Sequence, residues 1–272
     1  MKSFLILGLS IATSFYSFAS DHFRLLDIRA LGIGGNGVTQ SVLFNPALLV
    51  QQTYKHVSVN YFNKYEVKEL GTIGLNFIYP NSFLPVGFHI SSFGYDEYRT
   101  TLFRMSVAKS LHEKWKIGLG FQCALLQTKI WEETPKELSI DMGALFIPVE
   151  NLLIGVLIMN VPSFSIHKRY TDFKSIMCYS VQIGFQWKVI NNLLIIGTLE
   201  SEKTHVLVGN IGMEYRLFDD FYIRTGIQTA PFLPSLGIGY SLSAFTLDIA
   251  TQLHPLLGMS MGIGLKYSFK KI

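Results

Sequence analysis

Cysteine and charge are both scarce in this chain. Its 272 residues hold two cysteines, Cys123 and Cys178, too few for a disulfide-built scaffold. Neither follows the apolar N-terminal run, so a lipid-anchored N-terminus is not expected. Charged residues make up 15% of the chain and the formal net charge is +4, with no basic run. That balance argues against a nucleic-acid partner. Long apolar runs are missing too. Hydrophobic residues are 49% of the sequence, yet beyond the N-terminus no segment offers the roughly 18 consecutive apolar residues of a spanning helix.

What is present begins with an export signal. Lys2 supplies a positive start, Phe4 to Phe15 an apolar run and Ser17-Phe18-Ala19 a small-x-small cleavage site, so residues 1–19 read as a signal peptide. A membrane anchor is the competing reading, but Gly8, Ser10, Thr13 and Ser14 break the run. An exported, greasy chain without a membrane helix points to a β-barrel, because only helices and closed barrels satisfy every backbone group in lipid. A secreted soluble β-protein is the alternative.

Alternation decides between them. One face of 177–189 reads Met177, Tyr179, Val181, Ile183, Phe185, Trp187, Val189, and the other Cys178, Ser180, Gln182, Gly184, Gln186, Lys188. Trp115 to Leu125 and Met259 to Lys270 repeat the pattern, as a wall with lipid outside requires. Turn residues divide the chain into strands near 55–62, 71–80, 84–93, 99–109, 114–127, 136–147, 151–160, 174–189, 192–200, 204–217, 220–229, 234–242, 245–253 and 258–270. The expected fold class is an all-β transmembrane antiparallel barrel of about fourteen strands over residues 55–272, with twelve strands as the other count. Links at 63–70, 94–98, 128–135 and 161–173 are longer than those between them, as outer loops and periplasmic turns should be. Tyr79, Phe83, Trp115, Trp131, Trp187, Phe218 and Phe221 are expected at the two water boundaries.

No chemistry is set out along the chain. The seven histidines, His22, His56, His89, His112, His167, His205 and His254, lack metal-ligand spacing, and no serine sits in a nucleophile elbow. Neither catalysis, nor a cofactor, nor a metal is expected. Residues 32–37, Gly32-Ile33-Gly34-Gly35-Asn36-Gly37, match G-x-G-x-x-G, but no strand precedes them and Asn45-Pro46 interrupts any following helix. They read instead as a tightly turning glycine loop. On the inward face the alternation places Arg104, Asp141, Lys188, Glu200, Glu214, Arg216, Arg224 and Asp248, read first as a structural ion-pair network. Cys123 and Cys178 fall on opposite faces, so they are not expected to pair.

Arg29-Ala30-Leu31-Gly32, the glycines Gly34, Gly35 and Gly37, and Phe44-Asn45-Pro46-Ala47-Leu48 resemble the N-terminal hatch of the FadL-like outer-membrane proteins, specifically their PorV/PorQ branch. Asp141-Met142-Gly143-Ala144 with Asn151-Leu152 to Asn160-Val161, Gly212-Met213-Glu214-Tyr215 with Ile223-Arg224-Thr225-Gly226, and Asp248 with His254-Pro255 to Leu257-Gly258 are similar to that branch's hairpins. The resemblance implies a lumen plugged by residues 20–54, fourteen strands, and a non-enzymatic role in type IX-like protein secretion or surface attachment, with secretion-system proteins as partners. The wider FadL-like group implies the alternative, passive transport of hydrophobic small molecules across the bacterial outer membrane. Outer-membrane lipid is the expected surrounding. The barrel-assembly machinery is the expected inserter, because Ser260-x-Gly262-x-x-Leu265-x-Tyr267 resembles its recognition motif.

Overall fold

A computed structural model describes residues 25–129, 134–166, 177–202 and 207–269. The expected signal peptide, Trp131, His22, His167, His205 and the last three residues lie outside the described residues. The described strands are β1 (His56–Asn63), β2 (Gly71–Tyr79), β3 (Val86–Tyr95), β4 (Tyr98–Ser110), β5 (Trp115–Thr128), β6 (Lys136–Val149), β7 (Leu152–Met159), β8 (Ser163–Ile166), β9 (Ser180–Ile190), β10 (Leu193–Glu202), β11 (Leu207–Phe218), β12 (Phe221–Gln228), β13 (Leu233–Leu242), β14 (Phe245–His254) and β15 (Gly258–Ser268).

Each strand pairs antiparallel with its neighbour in the wall, and β1 closes on β15 through a register running from His56↔Ser268 to Asn63↔Met261. Fourteen strands form the closed wall. β8 is a short continuation of β7 along β6. Between them the wall kinks at Asn160, whose φ is 59°. The β6 ladder bridges the kink, with Val161 N–H donating to the Ile140 carbonyl at 2.8 Å and Ile140 N–H donating to the Pro162 carbonyl at 3.1 Å.

Burial is inverted relative to a soluble protein. On β5, Trp115, Ile117, Leu119 and Phe121 are exposed, whereas Gly118, Gly120, Gln122 and Ala124 between them are buried. The same holds round the wall: Val181, Ile183, Phe185, Ile211, Met213, Ile263 and Leu265 face outward, while Asn76, His89, Arg104, Gln122, Asp141, Glu214 and Arg224 are buried inside. A continuous apolar exterior of this extent is stable only in lipid. Short turns and both ends of the barrel lie at one rim, which is therefore periplasmic.

Two expectations need correction. The boundary aromatics Tyr79, Phe83, Trp115, Trp187, Phe218 and Phe221 all lie at the periplasmic rim, next to the short turns, and so form one girdle and not two. Different exposed rings, Tyr95, Tyr98, Tyr179 and Phe232, stand at the opposite boundary. Met177, expected on the outward face of a strand beginning at 174, is buried. β9 starts only at Ser180, and ahead of it the chain turns into the lumen, where Met177 packs on Leu102, Ala124 and Leu126.

Candidate functional site

The lumen is filled by the chain's own N-terminal segment. A short helix, Ile28–Gly32, is capped by Asp27, whose carboxylate accepts from Ala30 N–H at 3.2 Å and from the Ser41 hydroxyl at 2.5 Å. A 3-10 turn, Pro46–Gln51, is capped by Asn45: its Oδ1 accepts from Ala47 N–H at 3.1 Å and its Nδ2 donates to the Val38 carbonyl at 3.0 Å. Proline at the first helical position costs no bond there. Between them the chain reverses at Gly34 and Gly35, with φ of 77° and 81°, a region open to glycine at no steric cost.

Wall glycines receive this segment. A Cβ at Gly212 or Gly226 would overlap the backbone of Ile33 and Gly34, and one at Gly118 or Gly143 would overlap Asn45, Pro46 or Ala47. Gly237 would bring a Cβ to 3.0 Å from Gly32 Cα, and Gly155 one to 2.9 Å from Val38 Cγ1. Gly37 lies under the Phe44 ring. Ser235, on β13, accepts from Gly34 N–H at 2.9 Å.

Two charged clusters grip the segment from opposite sides. Arg29 donates twice to Glu214, Nε to Oε2 at 2.9 Å and Nη2 to Oε1 at 2.7 Å. Arg224 donates Nε to Glu214 Oε2 and Nη1 to Asp248 Oδ1, both at 2.6 Å. Glu214 and Arg224 side chains are 5% and 4% exposed, while Arg29 is 37% exposed at the edge of the cluster. The adjacent Glu214 carboxylate raises the Arg29 pKa and keeps its charge fixed. In the second cluster Arg104 Nη1 lies 2.6 Å from Asp141 Oδ2, both fully buried, and its Nη2 donates to the Phe44 carbonyl at 3.1 Å. Gln122 donates to Asp141 at 2.8 Å and to Asn160 Oδ1 at 3.0 Å. Asn160 in turn donates from its Nδ2 to the Cys178 carbonyl at 2.7 Å, bridging the wall kink to the inturned start of β9.

Of the expected lumenal charges, Arg104, Asp141, Glu214, Arg224 and Asp248 belong to these clusters. Glu200 sits further out and accepts from Gln182 at 2.8 Å. Arg216 does not join the network: it lies near the periplasmic rim and donates to Asn192 Oδ1 at 3.0 Å. Lys188 is exposed at the same rim. Both point to the expected side of the wall but sit too near its end to meet the segment. The neutral partners Gln122, Asn160 and Ser235 were not singled out as site residues. Gln122 and Ser235 carry only inward parity next to a charged or glycine position, and Asn160, at the kink, enters the sequence reading only as the end of a family-like hairpin.

On its outer side the segment packs into an apolar cluster in the lumen, in which Leu25 and Phe44 meet Leu102, Ala124, Leu126, Met159 and Met177. It adjoins the Asn160 kink. Beside Arg104, a cavity of about 10 Å³ lined by Val42, His89 and Ser106 has room for one water.

Fold and apolar belt together define the class: a bacterial outer-membrane β-barrel. No family model and no curated protein matches the sequence. Solved structures do match. The toluene transporter TodX of Pseudomonas putida superposes with a TM-score of 0.68 at 9% identity, over 89% of this chain and 98% of its own. The CymD monoaromatic hydrocarbon channel gives 0.61 at 12% identity, over 89% and 97%. A Pseudomonas aeruginosa FadL homologue gives 0.61 at 11% identity, over 92% and 99%. At these identities the likeness is one of fold.

Proposed function

We propose that this barrel is a non-enzymatic, passive transporter of hydrophobic small molecules across the outer membrane, with residues 20–54 acting as its plug. The observation that carries the reading is the apolar contact that Leu25 and Phe44 of the plug make with Leu102, Leu126 and Met177 inside the wall, beside the Asn160 kink. A hydrophobic molecule would be held there against Leu102, Leu126 and Met177 once Leu25 and Phe44 of the plug, which is fixed by hydrogen bonds to Glu214 and Arg104, give way. Small apolar cargo fits a site without free charge, because each buried charge in the two clusters already has an opposite partner. The naming of the similar structures as toluene and monoaromatic hydrocarbon channels supports the same cargo class.

A second reading keeps a specific support. Backbone of the plug rests on wall glycines, and the outer links are short, which suits a closed barrel that docks secretion-system proteins, as the PorV/PorQ resemblance implies. Insertion by the barrel-assembly machinery goes with either reading. Its motif residues Leu265 and Tyr267 face lipid on β15, the strand that closes the barrel.

Deletion of the gene separates the two. Transport predicts a slower initial uptake of a labelled monoaromatic hydrocarbon with an unchanged census of surface-attached proteins. Unchanged uptake with a depleted census would replace transport by the secretion role.

A further inference from the structure

The lipid-facing wall is not uniformly convex. Across β2–β6 a groove of about 540 Å³ runs between large outward side chains, among them Phe77, Phe88, Phe103, Met105, Phe121 and Cys123. Its floor is unbroken wall. Phe88↔Met105 and Met105↔Phe121 are direct cross-strand neighbours, as are Phe103↔Cys123, and no register shift interrupts β3, β4 or β5 there. The groove therefore opens to the membrane and not to the lumen.

Toward the periplasm this sector ends in the outward Lys109 on β4, and Lys55, just ahead of β1, stands at the same rim beside the sector. Lys109 Nζ lies 4.2 Å from the centroid of the Phe83 ring, and Lys55 Nζ lies 4.4 Å from that of Tyr79. Both ammonium groups are thus aligned where the apolar band meets water, with aromatic rings fixing their height. Lys109 and Met105 share the outward face of β4. Four residues separate them, about 13 Å along a strand at about 3.3 Å per residue, which is within the reach of a fatty acyl chain descending from a headgroup at the rim.

We propose that the β2–β6 sector is a binding site for an anionic glycerophospholipid of the periplasmic leaflet, with its phosphate at Lys109 and one acyl chain laid in the groove. Charge complementarity at the rim and the apolar groove above it select the same molecule. The site is independent of the plug and of the cargo, so it stands or falls apart from the transport reading.

Cys123 lines the groove and reports on its occupancy. In a Cys178→Ser protein, folded in neutral detergent, alkylation of Cys123 by N-ethylmaleimide is followed while phosphatidylglycerol or uncharged diacylglycerol is added. Phosphatidylglycerol is expected to slow alkylation at least fivefold and diacylglycerol much less. Lys109→Ala should abolish the protection, whereas Lys68→Ala, at the opposite rim, should keep it. Heat-modifiable gel migration verifies that each variant is folded, and Lys109→Gln replaces the alanine variant if that variant is not. Equal protection by both lipids, or protection that survives loss of Lys109, overturns the site. Protection that rises with protein concentration without added lipid also overturns it, and assigns the groove to a second copy of the chain.

Discussion

At the residue scale, Glu214 is the keystone of the N-terminal segment's attachment because it accepts from Arg29 and Arg224 at once. Removing its charge leaves two guanidinium groups facing each other, one of them buried, and breaking a buried pair of this kind costs about 3–5 kcal/mol. Glu214→Gln should therefore lower the urea midpoint of unfolding in detergent far more than Arg29→Met. The latter leaves the Glu214–Arg224–Asp248 chain intact and removes a partner that water already screens. Equal effects of the two substitutions would show that Arg29 and Arg224 are not shared by one carboxylate. Glycines give a second comparison. Gly226→Ala puts a methyl into the backbone of Ile33 and Gly34, whereas Gly209→Ala meets only ordinary contacts from 3.4 Å outward. Overpacking costs about 1–3 kcal/mol, so only Gly226→Ala should make residues 25–54 accessible to protease in the folded barrel.

At the scale of elements, strand parity was readable and strand height was not. Alternation told which residues of β5, β9 and β15 face lipid, because side chains on a strand repeat every two residues. Glu214 and Arg216 share that parity. Only their distance from the periplasmic turn separates an ion pair with Arg29 of the N-terminal segment from a rim contact with Asn192. One sequence does not state where along the barrel axis the N-terminal segment comes to rest, so it does not reveal Gly212 and Gly226 as seats for Ile33 and Gly34. The start of β9 was misplaced for a related reason. Tyr179 and Val181 continue an alternating pattern into Met177, but Asn160, at the kink, draws the Cys178 carbonyl inward and ends the strand. Asn160→Ala removes that bond and leaves the carbonyl without this donor, a loss of about 1–3 kcal/mol. Hydrogen exchange at Tyr179 to Gln182 should accelerate while exchange in β14 and β15 stays unchanged. Uniform acceleration would mean that the kink supports the whole barrel and not this corner.

At the scale of the whole molecule, the polar interior and apolar exterior make sense only as a wall between lipid and a filled lumen. A barrel left empty by its own chain would conduct ions. Here the N-terminal segment meets wall glycines on β5, β6, β7, β11, β12 and β13 and is hydrogen-bonded from both sides, so it obstructs the lumen. Folding should show in the usual way of such barrels, with boiled and unboiled protein migrating differently on a detergent gel. Single-channel recording of the whole protein in planar bilayers addresses the sealed lumen most directly. The account predicts a closed baseline for the native chain and open steps for Glu214→Gln or Gly226→Ala. A steady open conductance in the native protein would contradict it.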